Sequence, residues 1–261
     1  MTKAAPTLAA AGHWSASTAG AYILEWERAQ YDAAVAGVFG YYAMQIGGLG
    51  LATLAESRIQ QRWLALVGDQ ATDSHQPHLR VDAEQLPLAQ GSMDLITLPH
   101  TLELSRQPHA TLRDAARALV PGGTLLISGF HTPSLWFNPL ARKRAAHLQL
   151  PAPTQLIAHQ RLLDWLGLVG LSVEAIHYGA YRPLGCQGGD FSRWAVMERW
   201  GQACWPFFGA AYFLQARKQV LGARYLHPQW QNAQLSTNTV PGALNRPQQN
   251  QPKVAPENTA L

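Results

Sequence analysis

The stretch 94–128, DLITLPHTLELSRQPHATLRDAARALVPGGTLLIS, constrains the fold more than any other part of the chain. Asp94 opens the apolar run LITLP after the turn-like AQGS, the pattern of a strand buried on both faces and therefore of a parallel sheet. Pro108 stands where the first turn of a helix tolerates a missing N–H, and Leu112, Ala115, Ala116 and Leu119 recur at the spacing of one buried helix face. This predicts a three-turn helix that stops at Pro121-Gly122-Gly123, after which TLLIS restarts as an apolar strand. The unit is strand, helix, tight turn, strand.

Three wordings carry a resemblance: DAEQLPL, SMDLITLPHTLE and LRDAARALVPGGTLLIS. They resemble the second half of the cofactor domain of class I S-adenosylmethionine-dependent methyltransferases. With RLLDWLGLVG and FFGAAYFLQARKQV further on, the chain is similar to the bacterial methyltransferase type 11-like group within that class. The resemblance spans roughly 39–228 and is densest over 82–128. It implies an α/β fold: a Rossmann-like, seven-stranded, mostly parallel sheet with a reversed last strand and helices on both faces. AAYFLQARKQV is the expected reversed strand, and LSVEAIHYG the sixth.

The remaining organisation follows around this centre. With 261 residues, 47% of them hydrophobic, the chain can bury one large core. The expected parts are an N-terminal helical segment at 1–38, the methyltransferase-like domain at 39–228, and a tail at 229–261 rich in Gln, Asn, Pro and Thr without apolar periodicity. A helix is expected over 16–35 with Leu24, Arg28, Tyr31 and Val35 on one side, and the resemblance implies that Trp14, Tyr22 and Trp26 either face a ligand or pack as core or lid aromatics. The run TQLIAHQRLLDWLGLVG reads as an amphipathic helix, and 190–205, with its tryptophans, as another.

Composition excludes several classes. No stretch approaches the ~18 uninterrupted apolar residues of a membrane span, and the N-terminus makes no convincing secretory signal, so a soluble cytoplasmic protein is expected. Cys186 and Cys204 form neither a metal spacing nor a disulfide framework. A net charge of +4 with only 14% charged residues does not call for nucleic acid, and Arg142-Lys143-Arg144 reads as a solvated run. His75 and His78 lack an accompanying acidic or cysteine ligand, so no metal is expected.

The candidate cofactor residues fall where the resemblance puts them. The stretch GYYAMQIGGLGLATLAESRIQQ reads as a strand, a glycine-rich turn and a following helix, a device that brings backbone N–H groups to an anionic group. In the class, this motif is an acidic residue followed by Gly-x-Gly-x-Gly. Here Gln45 takes the acidic place; Gly47 matches in one register, Gly48 and Gly50 in the other. A glutamine can hydrogen-bond the amino end of the cofactor's methionine part but brings no charge to hold its ammonium. Asp69, closing RWLALVGD, is the candidate for the ribose hydroxyls, and Asp82-Ala83 for adenine, through a carboxylate and a backbone N–H.

Substrate chemistry is expected beyond the carboxyl end of the strand opened by Asp94, where open parallel sheets bind ligands. Leu98 is placed against the cofactor there, and His100 and Glu103 follow as candidate catalytic residues, with His100 a possible general base. His131, past the neighbouring strand, is the third. Methyl transfer demands little catalytic machinery, because the sulfonium already carries a good leaving group and alignment supplies much of the rate. LPHT stands where the Asn-Pro-Pro-aromatic signature of DNA and protein amide methylation would be, which argues against those substrates.

The expected function is therefore transfer of a methyl group from S-adenosyl-L-methionine to a small-molecule acceptor. The imperfect glycine motif leaves open a methyltransferase fold that has lost catalysis and serves as a binding or regulatory module. A dinucleotide enzyme would want an intact Gly-x-Gly-x-x-Gly, which is not visible.

Overall fold

The computed structural model describes residues 17–48, 50–68, 78–131, 156–182, 198, 200–201 and 206–219. Their element order is α1 (Thr18–Val35), β1 (Tyr42–Ile46), β2 (Gln61–Val67), β3 (His78–Val81), β4 (Met93–Pro99), the single turn α2 (Thr101–Leu104), α3 (Pro108–Ala118), β5 (Leu119–Phe130), α4 (His159–Leu168), β6 (Leu171–Gly179), a 3-10 turn (Pro206–Phe208) and β7 (Ala211–Lys218). One sheet holds all seven strands in the order β3-β2-β1-β4-β5-β7-β6. The pairs from β3 to β5 are parallel, and β7 lies antiparallel between β5 and β6. This is the expected mostly parallel sheet with a reversed last strand.

Alternation along the strands divides the core between the two faces of the sheet. Ile96, Leu125, Ile127 and Leu214 face α3 and α4 in one cluster, while Leu95, Leu126 and Phe213 join Tyr31 and Val35 of α1 in another. Tyr31 meets Phe213 edge to face at 5.0 Å, an arrangement worth about 1 kcal/mol beyond its burial. Helix α1 is capped by Ser17, whose hydroxyl accepts from the Gly20 N–H at 3.0 Å. Its first half lies across the carboxyl end of the sheet, with Ala19, Tyr22 and Ile23 packed on Phe130, Ala180, Ala210 and Ala211.

Four expectations need correction. The helix after the glycine-rich turn is absent: residues 51–60 form turns and lead directly into β2. No helix N-terminus therefore stands behind the glycines. The buried stripe of α1 runs through Ile23, Glu27, Tyr31 and Val35, with Arg28 exposed. Tyr31 and Val35 lie on the expected side, while Ile23 and Glu27 take the buried places expected of Leu24 and Arg28. Helix α3 ends at Ala118, before Pro121, and β5 already begins at Leu119, taking Pro121 and Gly122 into an irregular first part of the strand. The fourth helix starts at His159, later than the apolar pattern suggested.

Candidate functional site

Open sheets of this kind bind ligands outside the carboxyl ends of their strands, where the strand order reverses. Here that point lies between β1 and β4, and the glycine turn leaves β1 directly into it. Gly47, Gly48 and Gly50 have φ of 68°, 135° and 83°, values that L side chains rarely adopt. At Gly48 a Cβ would lie 2.5 Å from Gln45 Nε2, so the turn can be followed only by glycine there.

Gln45 is the clasp of this turn. Its Nε2 donates to the carbonyls of Gly47 at 3.0 Å and Leu51 at 2.6 Å, and its Oε1 accepts from both the N–H and the hydroxyl of Thr53 at 2.9 Å. The Thr53 hydroxyl continues to that of Thr97 on β4 at 2.6 Å. A glutamine amide has two N–H donors and two acceptor lone pairs, and all four are used here. In this conformation Gln45 has nothing left for a cofactor ammonium, which corrects the direct role expected of it. It shapes the turn instead, and it does so as a 5% exposed side chain.

Asp82 lies just beyond the carboxyl end of β3. It is exposed, accepts the Glu84 N–H through Oδ1 at 3.0 Å, and is bridged through the backbone to Gln85, while Ala83 beside it is buried. Leu98 is fully buried within β4. Its side chain belongs to the core cluster facing α3 and α4, so it supports the site from beneath and does not line it. Asp69 lies outside the described residues, as do Trp14, His75, Cys186, Cys204, Arg142-Lys143-Arg144, most of 190–205 and the tail.

His100 follows β4 with φ of 53°, a left-handed conformation uncommon for a residue with a side chain. Its ring is 1% exposed, with Nε2 at 2.9 Å from Glu27 Oε1 of α1 and Nδ1 at 2.9 Å from Glu103 Oε2. Phe130 packs on it at 4.3 Å, and Glu103 Oε1 accepts the Phe130 N–H at the end of β5. Burial works against a charged imidazole, but the Glu27 and Glu103 carboxylates outweigh it and push the pKa up to about 10. Burial likewise raises the Glu103 carboxyl, with His100 pulling the other way. His100 is thus a buried imidazolium at neutral pH, without a lone pair to accept a proton, and the general-base role expected of it is corrected. With Glu103 it ties α1, β4 and β5 together.

His131 lies just past β5 and is also 1% exposed, yet its surroundings are opposite in character. Its Nε2 stands 3.4 Å from Nδ1 of His159, the first residue of α4, and its ring packs on Tyr178 of β6 at 4.7 Å. Burial, together with the nearby His159 ring, lowers its pKa to about 4. His131 is therefore a neutral imidazole. The structure thus separates the two histidines: one is charged and sealed, the other uncharged and joined to a second, half-buried ring.

Two functional features escaped the sequence. Glu27 was readable only as a polar helix residue until β4 brought His100 against it. His159 carried no signal, because its partner is far away in sequence. Among the described residues no group of three or more His, Cys, Asp or Glu could hold a metal ion, and no helix is long and apolar enough to cross a membrane.

The family model described as a methyltransferase domain matches residues 34–127. An uncharacterized Escherichia coli protein, YafS, is 28% identical over 193 residues, which is 70% of this chain and 71% of that protein. The ubiquinone/menaquinone biosynthesis C-methyltransferase UbiE of Rubrivivax gelatinosus is 39% identical over 67 residues, 24% of this chain and 27% of that protein. Among solved structures, an S-adenosylmethionine-dependent methyltransferase of Archaeoglobus fulgidus superposes with a TM-score of 0.55 at 15% identity, covering 75% of this chain and 94% of its own. Another from Thermotoga maritima gives 0.53 at 15% identity over 80% of this chain and all of that one. The methyltransferase-domain match thus spans 34–127, and the sheet with its reversed seventh strand has the fold of these S-adenosylmethionine-dependent methyltransferases.

Proposed function

We propose that the protein transfers a methyl group from S-adenosyl-L-methionine to a small-molecule acceptor. The observation that carries this reading is the strand-order reversal between β1 and β4, with a positive-φ glycine turn after β1 and an exposed carboxylate, Asp82, after β3 at the same end of the parallel strands. The residues fit the cofactor at two places. Gly47, Gly48 and Gly50 let the main chain approach the methionine part closely. Asp82 uses Oδ1 on its own turn, so Oδ2 can accept the exocyclic amino group of adenine while the Ala83 N–H meets a ring nitrogen. Asp69 is proposed for the ribose. The ammonium must be met by main-chain carbonyls of the turn, because Gln45 is consumed in holding it.

When bound, the cofactor supplies an electrophilic methyl on a sulfonium. The chain's own task is then to align an acceptor at the carboxyl ends of β4 and β5 and to exclude water, which proximity alone makes effective. Of the three catalytic candidates, His100 and Glu103 act by position, holding α1 over the site, and His131 stands next to the acceptor. The alternative, a catalytically degenerate module, gains no support from the comparisons. Titration calorimetry with S-adenosylmethionine and S-adenosylhomocysteine tests the reading. Micromolar binding that falls at least tenfold in Asp82→Ala is expected, and a folded protein that binds neither ligand refutes it.

A further inference from the structure

A second concave site lies at the opposite end of the sheet from the glycine turn. Helix α3 carries His109, Arg113 and Arg117 four residues apart, which puts them in one stripe along its surface. Together with Leu168 and Val169 at the end of α4 and Lys218, the last residue of β7, they line an open pocket of about 360 Å3. Pockets that hold small molecules begin at about 300 Å3. Because β7 runs antiparallel to β5, Lys218 stands toward the amino-terminal side of the paired stretch Thr124 to Phe130. That stretch puts roughly 20 Å of strand between this pocket and the carboxyl ends where the acceptor is expected.

Four basic side chains meet here, and no carboxylate among the described residues lines the pocket with them. Asp114 pairs with Arg117 at 2.8 Å and lies within electrostatic reach of Arg113. Counting that carboxylate, three permanent cations less one anion leave a net charge of +2 with His109 neutral. Two of the cations are held by the fold. Lys218 Nζ donates to the carbonyls of Ala116 at 2.6 Å and Leu119 at 2.7 Å, and Arg117 donates to Asp114 and to the carbonyls of Leu86 and Leu88. Both therefore act by charge. Burial, with the Arg117 charge beside it, lowers the Lys218 pKa, and a bound anion offsets the repulsion between the two. Arg113 and His109 are exposed, and the His109 ring rests edge-on against Trp165 at 5.5 Å. An arginine fork matches two oxygens of one anionic group. Leu168, 78% exposed, gives the pocket an apolar edge.

We infer that this pocket binds a small organic phosphate, with the phosphate on Arg113 and His109 in the field of Arg117 and Lys218, and an apolar group of the ligand against Leu168 and Val169. A phosphate monoester carries about −1.5 to −2 at neutral pH, which matches the charge of the pocket. A single carboxylate would leave half of that charge unmet. The cations line one concave volume of small-molecule size, which favours one phosphorylated molecule over a nucleic-acid backbone or a membrane surface. Arg217 does not extend them: alternation along β7 turns it to the other face of the sheet, where it pairs with Glu174 at 2.6 Å. The site is separate from the cofactor crevice and does not depend on the methyltransferase reading.

The experiment titrates hexyl phosphate into the full chain by calorimetry, with inorganic phosphate, vesicles of phosphatidylglycerol and phosphatidylcholine, and an oligothymidylate as parallel arms. Saturable binding of hexyl phosphate is expected, severalfold tighter than that of inorganic phosphate, which lacks the apolar group. Arg113→Gln is expected to weaken it at least fivefold, and Leu168→Ser to remove the advantage over inorganic phosphate; both side chains are exposed, so neither change empties the core. Arg28→Gln takes the same charge from the exposed face of α1 and is expected to leave the affinity within twofold. Equal losses in the two arginine variants would reduce the effect to net charge and overturn the inference. So would a folded wild type that does not bind hexyl phosphate, or that binds only the vesicles or only the oligothymidylate.

Discussion

His100→Asn is the sharpest test of how the site is held together. Asparagine is among the few residues that tolerate the left-handed backbone at this position, so the variant removes the cation without adding backbone strain. It leaves Glu27 and Glu103, each formerly 2.9 Å from the ring, as buried carboxylates with no positive charge between them. Removing one partner of a buried ion pair costs about 3–5 kcal/mol. Linkage gives a figure of the same order. The His100 pKa rises from 6.5 to about 10 on folding, which at about 1.4 kcal/mol per tenfold change in proton affinity corresponds to roughly 5 kcal/mol.

The sign follows from the direction of the shift. A raised folded pKa gives a stabilisation that is complete below the unfolded value of 6.5 and is lost as the pH climbs through about 10. The raised Glu103 carboxyl acts in the same direction, favouring the folded state more at acid pH than at neutral. Urea denaturation followed by tryptophan fluorescence measures all of this. The wild type should lose stability progressively between pH 7 and pH 10. The variant should start about 3–5 kcal/mol lower at pH 7, a midpoint shift of roughly 2 M at a slope of about 2 kcal/mol/M. Its curve should be flat over the same alkaline range. A deficit under about 1 kcal/mol at pH 7, or a wild-type curve that stays level to pH 10, would show that the triad does not carry charge as described.

The glycine turn and the end of β5 yield two further predictions. Gln45→Glu restores the residue type usual for the class, yet it replaces Nε2 and its two N–H donors by a single oxygen facing the Gly47 and Leu51 carbonyls. It should cost about 2–4 kcal/mol and weaken S-adenosylhomocysteine binding in calorimetry; tighter binding would show that the clasp is dispensable. Gly129→Ala would place a Cβ 2.7 Å from the Tyr212 hydroxyl and 2.8 Å from Glu103 Oε1. A loss of about 1–3 kcal/mol in chemical denaturation is expected for such overpacking, and an unchanged midpoint would mean that the two side chains are free to move.

The sequence carried the strand-helix-strand unit at 94–128 as local pattern, because apolar strands and a three-turn helix need no distant partner to be read, and the resemblance of its wordings carried the fold class. β6 and the reversed β7 were expected from the resemblance and from their place late in the chain, and the sheet contains both. The glycine turn was legible as well, since its positive φ values depend on geometry within a few residues. The tertiary structure decided the rest. Whether a histidine is a base or a fixed cation depends on which charges stand within about 4 Å of it, and its neighbours come from distant elements: Glu27 from α1 for His100, and His159 from α4 for His131. Gln45 reads in sequence as a flawed acidic ligand, and only the return of the chain through Leu51 and Thr53 makes it the group that shapes the turn. Local pattern fixes where backbone goes; the charge and reach of a side chain are set by what folding brings beside it.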